Sequence, residues 1–231
     1  GSASAPRTNL GTTYTWDGES TRIATVTPSG LAGTTLTYDT AGKLTTITRG
    51  APTTGGSPVV AARYVYDVPT SGTGLPSIAD TATALYQRKA PVNGYAVFGP
   101  DYTGPVSGTG VDWSYADLSY VDDLGYTVNT ASYGAGAWLV TATDYDGEGN
   151  VIRELDASAT QAARATPGLS AAQVDAMATR TVYNTEVKNT EGMVVLPANT
   201  RVTDTYGPTR LVALGNGAQA QARPHTATTY D

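Results

Sequence analysis

The sequence predicts a mainly β protein, an antiparallel sheet of successive β-hairpins with one short helical insert near residues 157–179. Three observations predict this class. Thr, Tyr and Val alternate with other residues in many short segments, which is typical of strands. The 26 glycines and 13 prolines supply frequent turns between those segments. A capped helical pattern occurs in only one region.

The strands are predicted where residue types alternate with a period of two. The first hairpins turn at Asp17-Gly18 and at residues 28–30. Because each segment lies next to its neighbour in the chain, the pattern indicates a meander of short strands. In order, the predicted strands are residues 12–16, 22–26, 34–38, 44–48, 59–66, 95–98, 113–120, 126–133, 137–145, 180–183, 193–196, 201–206 and 211–214.

Three segments depart from the hairpin pattern. Residues 99–110, rich in Gly and Pro, are predicted to be an insertion loop. Residues 77–85 could form a short helix or a loop, and irregular structure is favoured because Ile78, Ala82 and Leu85 leave only a thin apolar stripe. Within 157–179, Ser170 is a predicted helix N-cap because Gln173 follows three residues later, as in a capping box. Val174 and Met177 are predicted to face inward.

A Tyr-Asp-x-x-Gly sequence recurs and ends each time in a polar and an aliphatic residue. Glycine suits the positive φ at the end of such a turn, and the aspartate can accept hydrogen bonds from backbone amides across it. Bare Tyr-Asp steps stand at 66–67 and 230–231. The residues that define the two full copies are Tyr38, Asp39, Gly42 and Leu44, and Tyr145, Asp146, Gly149 and Val151.

These copies resemble the YD repeat of RHS (rearrangement hotspot) proteins, a family related to insecticidal toxin complex shells and to teneurins. The resemblance implies an elongated, twisted antiparallel sheet that forms part of a hollow shell. It also implies a secreted or surface-exposed bacterial protein that encapsulates and delivers a C-terminal toxin. The expected partners are then the remaining repeats and the toxin. Residues 90–110 and 157–177 have no place in the short motif.

Composition excludes several classes of function. The net charge of −6 lacks the basic footprint of a nucleic-acid groove, and no apolar run is long enough for a membrane helix. The absence of cysteine excludes disulfides and thiolate metal sites. No motif predicts an enzyme or a cofactor. Residues 1–10 are predicted to be a tag or lead-in, and 11–231 a single β segment cut from a longer protein.

Acidic residues provide the candidate metal sites. Asp144, Asp146 and Glu148 have the alternating spacing of the first half of a calcium loop, but Leu155 stands where its last carboxylate belongs. A repeat turn capped by Asp146 is the favoured interpretation. Asp122 and Asp123, with Asp117, form a second acidic group that is interpreted as a solvated turn.

Two other groups of side chains carry alternative predictions. Trp16, Trp113 and Trp138 could stack on sugar rings, although aromatic residues on alternating strands more often fill a sheet face. His225, the one histidine, has no nucleophile motif beside it. The preferred prediction is therefore a structural, non-catalytic shell segment whose open sheet edges favour self-association. The alternative is a secreted binding module that recognises glycan or a protein surface through Trp and Tyr.

Overall fold

A computed structural model describes residues 11–51, 55–215 and 217–230. Strands make up 43% of the structure and helices 12%, with a large antiparallel sheet, so the predicted mainly β class is confirmed. The predicted lead-in, residues 1–10, lies outside the described residues. The chain divides into two compact units: residues up to 66 with 96–116 form unit 1, and residues 67–95 with 117 onwards form unit 2.

Unit 1 is built from hairpins in chain order, each strand antiparallel to the one before it. The strands alternate in side-chain chemistry, since Leu36 faces Ile47 across one pair while Thr35 faces Thr48. Its strands are β1 (Thr12–Trp16), β2 (Ile23–Pro28), β3 (Thr34–Tyr38), β4 (Leu44–Arg49) and β5 (Val59–Val68), of which the last two residues belong to unit 2.

The predicted insertion loop at residues 99–110 contains no strand or helix, as expected. Tyr102 anchors it, because its ring stacks on Phe98 with centroids 4.7 Å apart and its hydroxyl donates to Pro105 O. A strand was predicted from residue 113, but a 3₁₀ turn (Trp113–Tyr115) occupies its start. Asp112 accepts hydrogen bonds from Ser114 and thereby closes this turn.

Unit 2 continues the meander and carries all three helices of the described chain. Strand β6 (Asn93–Phe98) contributes its first three residues to this unit, and β7 (Ala116–Val121) all but its first. The remaining strands are β8 (Thr127–Gly134), β9 (Ala137–Tyr145), β10 (Val151–Leu155), β11 (Thr179–Tyr183), β12 (Val187–Lys188), β13 (Val194–Leu196), β14 (Val202–Tyr206), β15 (Arg210–Ala213), β16 (Gln219–Ala222) and β17 (His225–Ala227). Strands β7, β8, β9, β10, β11, β14 and β17 pair antiparallel in that order.

The helices of unit 2 cover one face of its sheet. They are α1 (Ile78–Ala84), α2 (Ala157–Ala165) and α3 (Ala171–Ala176). Together with Leu85 after α1, buried residues of α2 and α3 pack on Ala142 of β9 and Leu155 of β10 to form the core of this unit. No helix within the described ranges has the length and apolar character needed to cross a membrane.

The helical insert was predicted correctly in place, and its capping box forms. Ser170 Oγ accepts the Gln173 amide while Gln173 Oε1 accepts the Ser170 amide. Val174 is fully buried, and Met177 packs against the same cluster. Two separate helices form, because residues 166–170 interrupt the insert.

The prediction of irregular structure at residues 77–85 was wrong, since α1 occupies most of this range. The apolar stripe that looked too thin is buried completely: Ile78 and Leu85 are 0% exposed and Ala82 is 5% exposed. Burial of these side chains against the sheet stabilises a helix that local propensity alone would leave marginal.

Candidate functional site: recurring corners and tyrosine latches

The first Tyr-Asp-x-x-Gly copy forms a tight turn that we call a corner. The amide of Asp39 donates to Lys43 O at 2.9 Å, and the Gly42 amide donates back to Asp39 O at 3.0 Å. Asp39 Oδ1 accepts the Lys43 amide at 2.8 Å. Gly42 has φ of 82°, a conformation that favours glycine. A corner is therefore an Asp or Asn whose backbone and Oδ1 satisfy the amides of the turn.

The second copy has the same geometry. Asp146 Oδ1 accepts the amides of Glu148 at 3.0 Å and Asn150 at 2.8 Å, and Gly149 has φ of 86°. Burial acts to raise the pKa of Asp146, but hydrogen bonds from Asn150, Glu148 and Gly149 outweigh it and hold the pKa below its ordinary value. The carboxylate thus stabilises the turn and remains charged at neutral pH.

Two further corners lack the tyrosine and were not recognised as copies from the sequence. Asp122 Oδ1 accepts the amides of residues 124 and 126, both at 2.9 Å. Asn189 Oδ1 accepts those of residues 191 and 193, at 3.0 and 2.9 Å. Gly125 and Gly192 take the positive-φ position in each. The signal that would have found them is Asx-x-x-Gly without a preceding Tyr.

The tyrosines of the four Tyr-Asp steps, together with Tyr183 of a Tyr-Asn step, each bind the neighbouring strand of the sheet. In each case the hydroxyl donates to a main-chain carbonyl of the adjacent strand, an arrangement that we call a tyrosine latch. The acceptor is always the first residue of that strand. The latches are Tyr38 to Ile23 (2.8 Å), Tyr66 to Leu44 (3.0 Å), Tyr145 to Thr127 (2.9 Å), Tyr183 to Val151 (3.1 Å) and Tyr230 to Val202 (2.9 Å).

The residue that ends each full copy of the repeat takes part in two consecutive repeats. Leu44 and Val151 each start the strand after a corner, and each lies opposite the tyrosine of its own copy in the ladder. Each also offers its carbonyl to the tyrosine of the following latch, Tyr66 or Tyr183. The predicted motif residues are therefore shared between consecutive repeats.

The residue just before the acceptor covers the latch ring in four of the five cases. Arg22, Lys43 and Arg201 place their cations 5.2, 5.0 and 4.7 Å from the ring centroids of Tyr38, Tyr66 and Tyr230. Such cation–π contacts add stability at partly exposed sites. The ring of Tyr126 takes this position over Tyr145, with centroids 5.0 Å apart.

One latch belongs to a corner that could not be recognised from the sequence. Tyr183 is followed by Asn184, whose amide donates to Arg201 O at 2.9 Å and whose Oδ1 accepts the Arg201 amide at 2.8 Å. Asn199, with φ of 57°, stands where glycine stands elsewhere. The β12–β13 hairpin is inserted inside this corner, so sequence spacing gave no indication of it.

The candidate calcium ligands do not converge. Asp144 is 3% exposed and bonds Arg153 Nε at 2.6 Å, whereas Asp146 closes its corner. Glu148 accepts from Asn199 Nδ2 at 3.2 Å. In the part of the chain that the structure describes, no three acidic or histidine side chains are grouped closely enough to hold a metal ion.

The three tryptophans lie in different surroundings. Trp16 is 56% exposed at the end of β1, two residues after the 52% exposed Tyr14. The ring of Trp113 packs 5.8 Å from Phe98, and that of Trp138 meets Tyr133 edge-on at 5.4 Å. Trp113 and Trp138 are half-buried, so Trp16 is the most exposed of the three tryptophans.

His225 takes part in sheet pairing at the β14–β17 ladder. Its ring stacks on Tyr206 at 4.4 Å, and its Nε2 lies 2.8 Å from Asp204 Oδ1. Hydrogen bonds from His225 and from Thr203 lower the pKa of Asp204. These contacts are those of a surface cross-strand pair.

Comparison with known proteins assigns no family, because no protein-family model and no curated protein matches the chain.

Proposed function

We propose that this chain is a structural, non-catalytic segment of a shell of the RHS/YD-repeat type. The proposal is carried by the recurrence of the tyrosine latch, in which a tyrosine hydroxyl donates to the carbonyl of the first residue of each of five strands. A unit that contacts mainly its neighbours can be repeated without limit, as in solenoid proteins. The hydrogen bonds and ring contacts of the corners and latches hold neighbouring strands together, which suits a structural role.

The sheet of unit 1 supports a role in a larger assembly. No residue of β1 to β4 is buried, although one face carries Val26, Leu36 and Ile47. Single sheets normally bury an apolar face against another layer. In the wall of a shell, this apolar face would line the enclosed cavity, and the enclosed protein would cover it.

The family resemblance extends the proposal to encapsulation of a C-terminal toxin in a bacterial protein that is secreted or displayed on the surface. The partners would be the flanking repeats and the toxin. The test is cryo-electron microscopy and limited proteolysis of the gene product that carries this chain. We expect a hollow shell and a C-terminal segment that resists protease until the shell opens.

Variants that lack latch hydroxyls test whether the latches hold the shell closed in the proteolysis experiment. Replacing Tyr145 and Tyr183 together by Phe removes two latch hydroxyls, and we expect the enclosed segment to be cleaved faster. Tyr133→Phe is the matched control, because Tyr133 is 44% exposed and forms no latch. A full-length product without a cavity, or equal cleavage in all variants, would refute the proposal.

A second candidate function is a binding module, and the exposed pair Tyr14 and Trp16 favours it. Both side chains point to the same face of β1, since alternate residues of a strand do so. Aromatic faces stack on sugar rings, so glycan is the ligand of this alternative. The test is a glycan array probed with the unmodified chain and with Trp16→Ala. Glycan binding that disappears in the variant supports a binding module, and absence of binding by the unmodified chain contradicts it.

We also propose that copies of this chain associate with one another through the outer strand edges. Strand β1 pairs only with β2, and β17 only with β14, within the described ladders. Unpaired strand edges are templates for pairing with another chain. Light scattering over a concentration series is expected to detect dimers or larger species, and a constant monomer mass would contradict this.

A further inference from the structure

A polar cleft of about 300 Å³ opens in unit 2 beside the helical insert. Its lining is rich in charge, although the chain as a whole has few charged residues. We call it the arginine cleft, and its lining residues are Tyr86, Arg88, Asp144, Ile152, Arg153, Asp175 and Arg180.

The floor of the arginine cleft is a fixed ion pair. Arg153 Nε donates to Asp144 Oδ2 at 2.6 Å, and the two side chains are only 11% and 3% exposed. Arg153 Nη2 also donates to Leu85 O at 2.9 Å, which ties the end of α1 to the sheet. The charges of Arg153 and Asp144 therefore compensate each other and hold the floor rigid.

The walls contain cations that are incompletely neutralised. Arg180 lies directly opposite Arg153 in the β10–β11 ladder, so two like charges share one face. The counter-charge available to Arg180 is Asp175, at the long distance of 3.5 Å, and Asp175 is shared with Arg223 at 3.4 Å. One carboxylate thus serves two guanidinium groups.

Arg88 adds a further cation. Its main-chain amide donates to Asp144 Oδ1 at 2.8 Å, which fixes its backbone at the rim. Its guanidinium makes no hydrogen bond or ion pair with any residue that the structure describes. Tyr86, two residues earlier, has φ of 50° because it ends α1: the Gln87 amide donates to Ala82 O at 3.0 Å and the Tyr86 amide to Thr83 O at 3.2 Å, as in a Schellman motif.

The charge balance of the cleft favours an anion. Its lining holds three arginines and two aspartates, a surplus of one positive charge, in a chain of net charge −6. Planar guanidinium groups match carboxylate and phosphate oxygens in forked hydrogen bonds. We propose that the arginine cleft binds an oxyanion, a carboxylate or phosphate group, between Arg88 and Arg180. This binding role goes beyond the structural function proposed above.

The test is a titration of the purified chain with inorganic phosphate and, separately, with succinate at low salt, followed by isothermal calorimetry. We expect a dissociation constant on the order of 1 mM or tighter, weakening with added chloride. Arg88→Gln combined with Arg180→Gln should weaken binding by about tenfold or more, because both forks are lost. Binding of phosphate alone or of succinate alone identifies which oxyanion source the cleft takes.

Arg164→Gln is the matched control, since Arg164 is an exposed arginine on α2 outside this cleft. It should bind as the unmodified chain does. Circular dichroism of the double variant should show an unchanged unfolding midpoint, because the Asp144–Arg153 floor is intact. Absence of binding by the unmodified chain, or equal binding by the double variant, overturns the proposal.

Discussion

Replacing Asp122 by Ala is expected to destabilise the chain substantially, because this residue organises a corner from an almost buried position. Its Oδ1 accepts two amides at 2.9 Å each, and the residue is 3% exposed. Hydrogen bonds to charged groups contribute roughly 1.5–3 kcal/mol each. Leu124 is 64% exposed, so water can reach this residue and partly replace the lost acceptor, and the expected cost is about 2–4 kcal/mol.

Asp122→Asn tests whether the acceptor oxygen or the charge matters. Asn184 and Asn189 already accept turn amides through Oδ1 in this chain, so asparagine suits the geometry. We expect Asp122→Asn to lose less than about 1 kcal/mol. Asp123→Ala is the adjacent control: Asp123 is exposed and pairs only with Lys89 on the surface, where ion pairs contribute little.

The assay is urea and thermal unfolding followed by circular dichroism at pH 7. A loss of 2–4 kcal/mol corresponds to a fall in Tm of roughly 5–15 °C for a chain of this size. The dependence of the unfolding free energy on urea should be unchanged, since the surface exposed on unfolding is the same. An unchanged midpoint for Asp122→Ala, or equal losses for Ala and Asn, would refute the role assigned to the corner oxygen.

Two further predictions concern a corner glycine and the latch hydroxyls. Gly149→Ala and Gly136→Ala both place a β-carbon at positive φ, but only at Gly149 would it overlap the Tyr126 hydroxyl. The free energy of unfolding should therefore fall further in Gly149→Ala, by about 1 kcal/mol or more, and equal losses in the two variants would show that the ring moves aside freely. Burial, together with nearby carboxylates, raises the pKa of Tyr145 and of Tyr183. Their stabilisation should be complete below about pH 10 and be lost as the pH rises through the folded-state pKa, since the folded chain holds these protons more tightly. Replacing Tyr145 and Tyr183 by Phe should make the unfolding midpoint fall less steeply at alkaline pH. An identical fall in the double variant and the unmodified chain would contradict this prediction.

The hairpin order was predictable because it depends on local patterns. Alternation and Gly-containing turns predicted most strands of unit 1 within a residue or two. Ser170 and Gln173 indicated the start of α3, since a capping box is complete within four residues. The turn at Asp39 and Gly42 was predicted for the same reason: its hydrogen bonds join residues at most four apart.

Features that depend on distant partners were not predictable. Helix α1 forms because Ile78 and Leu85 find a buried surface, which a thin apolar stripe did not reveal. The arginine cleft brings Arg88, Arg153 and Arg180 together from separate segments of the chain. Nothing in the spacing of these arginines distinguishes them from solvated surface charges.

By itself, the amino-acid order determined a β meander whose short corners are set by Asx and glycine, because the geometry of these turns is satisfied within five residues. The corner at Asn184, which encloses a hairpin, is the exception. Only the tertiary structure decided what the tyrosines do. Tyr183 reaches the carbonyl of Val151 across 32 residues, and Tyr145 that of Thr127 across 18. A hydroxyl donor has no sequence signature for its acceptor, so the latch exists only once the strands are paired.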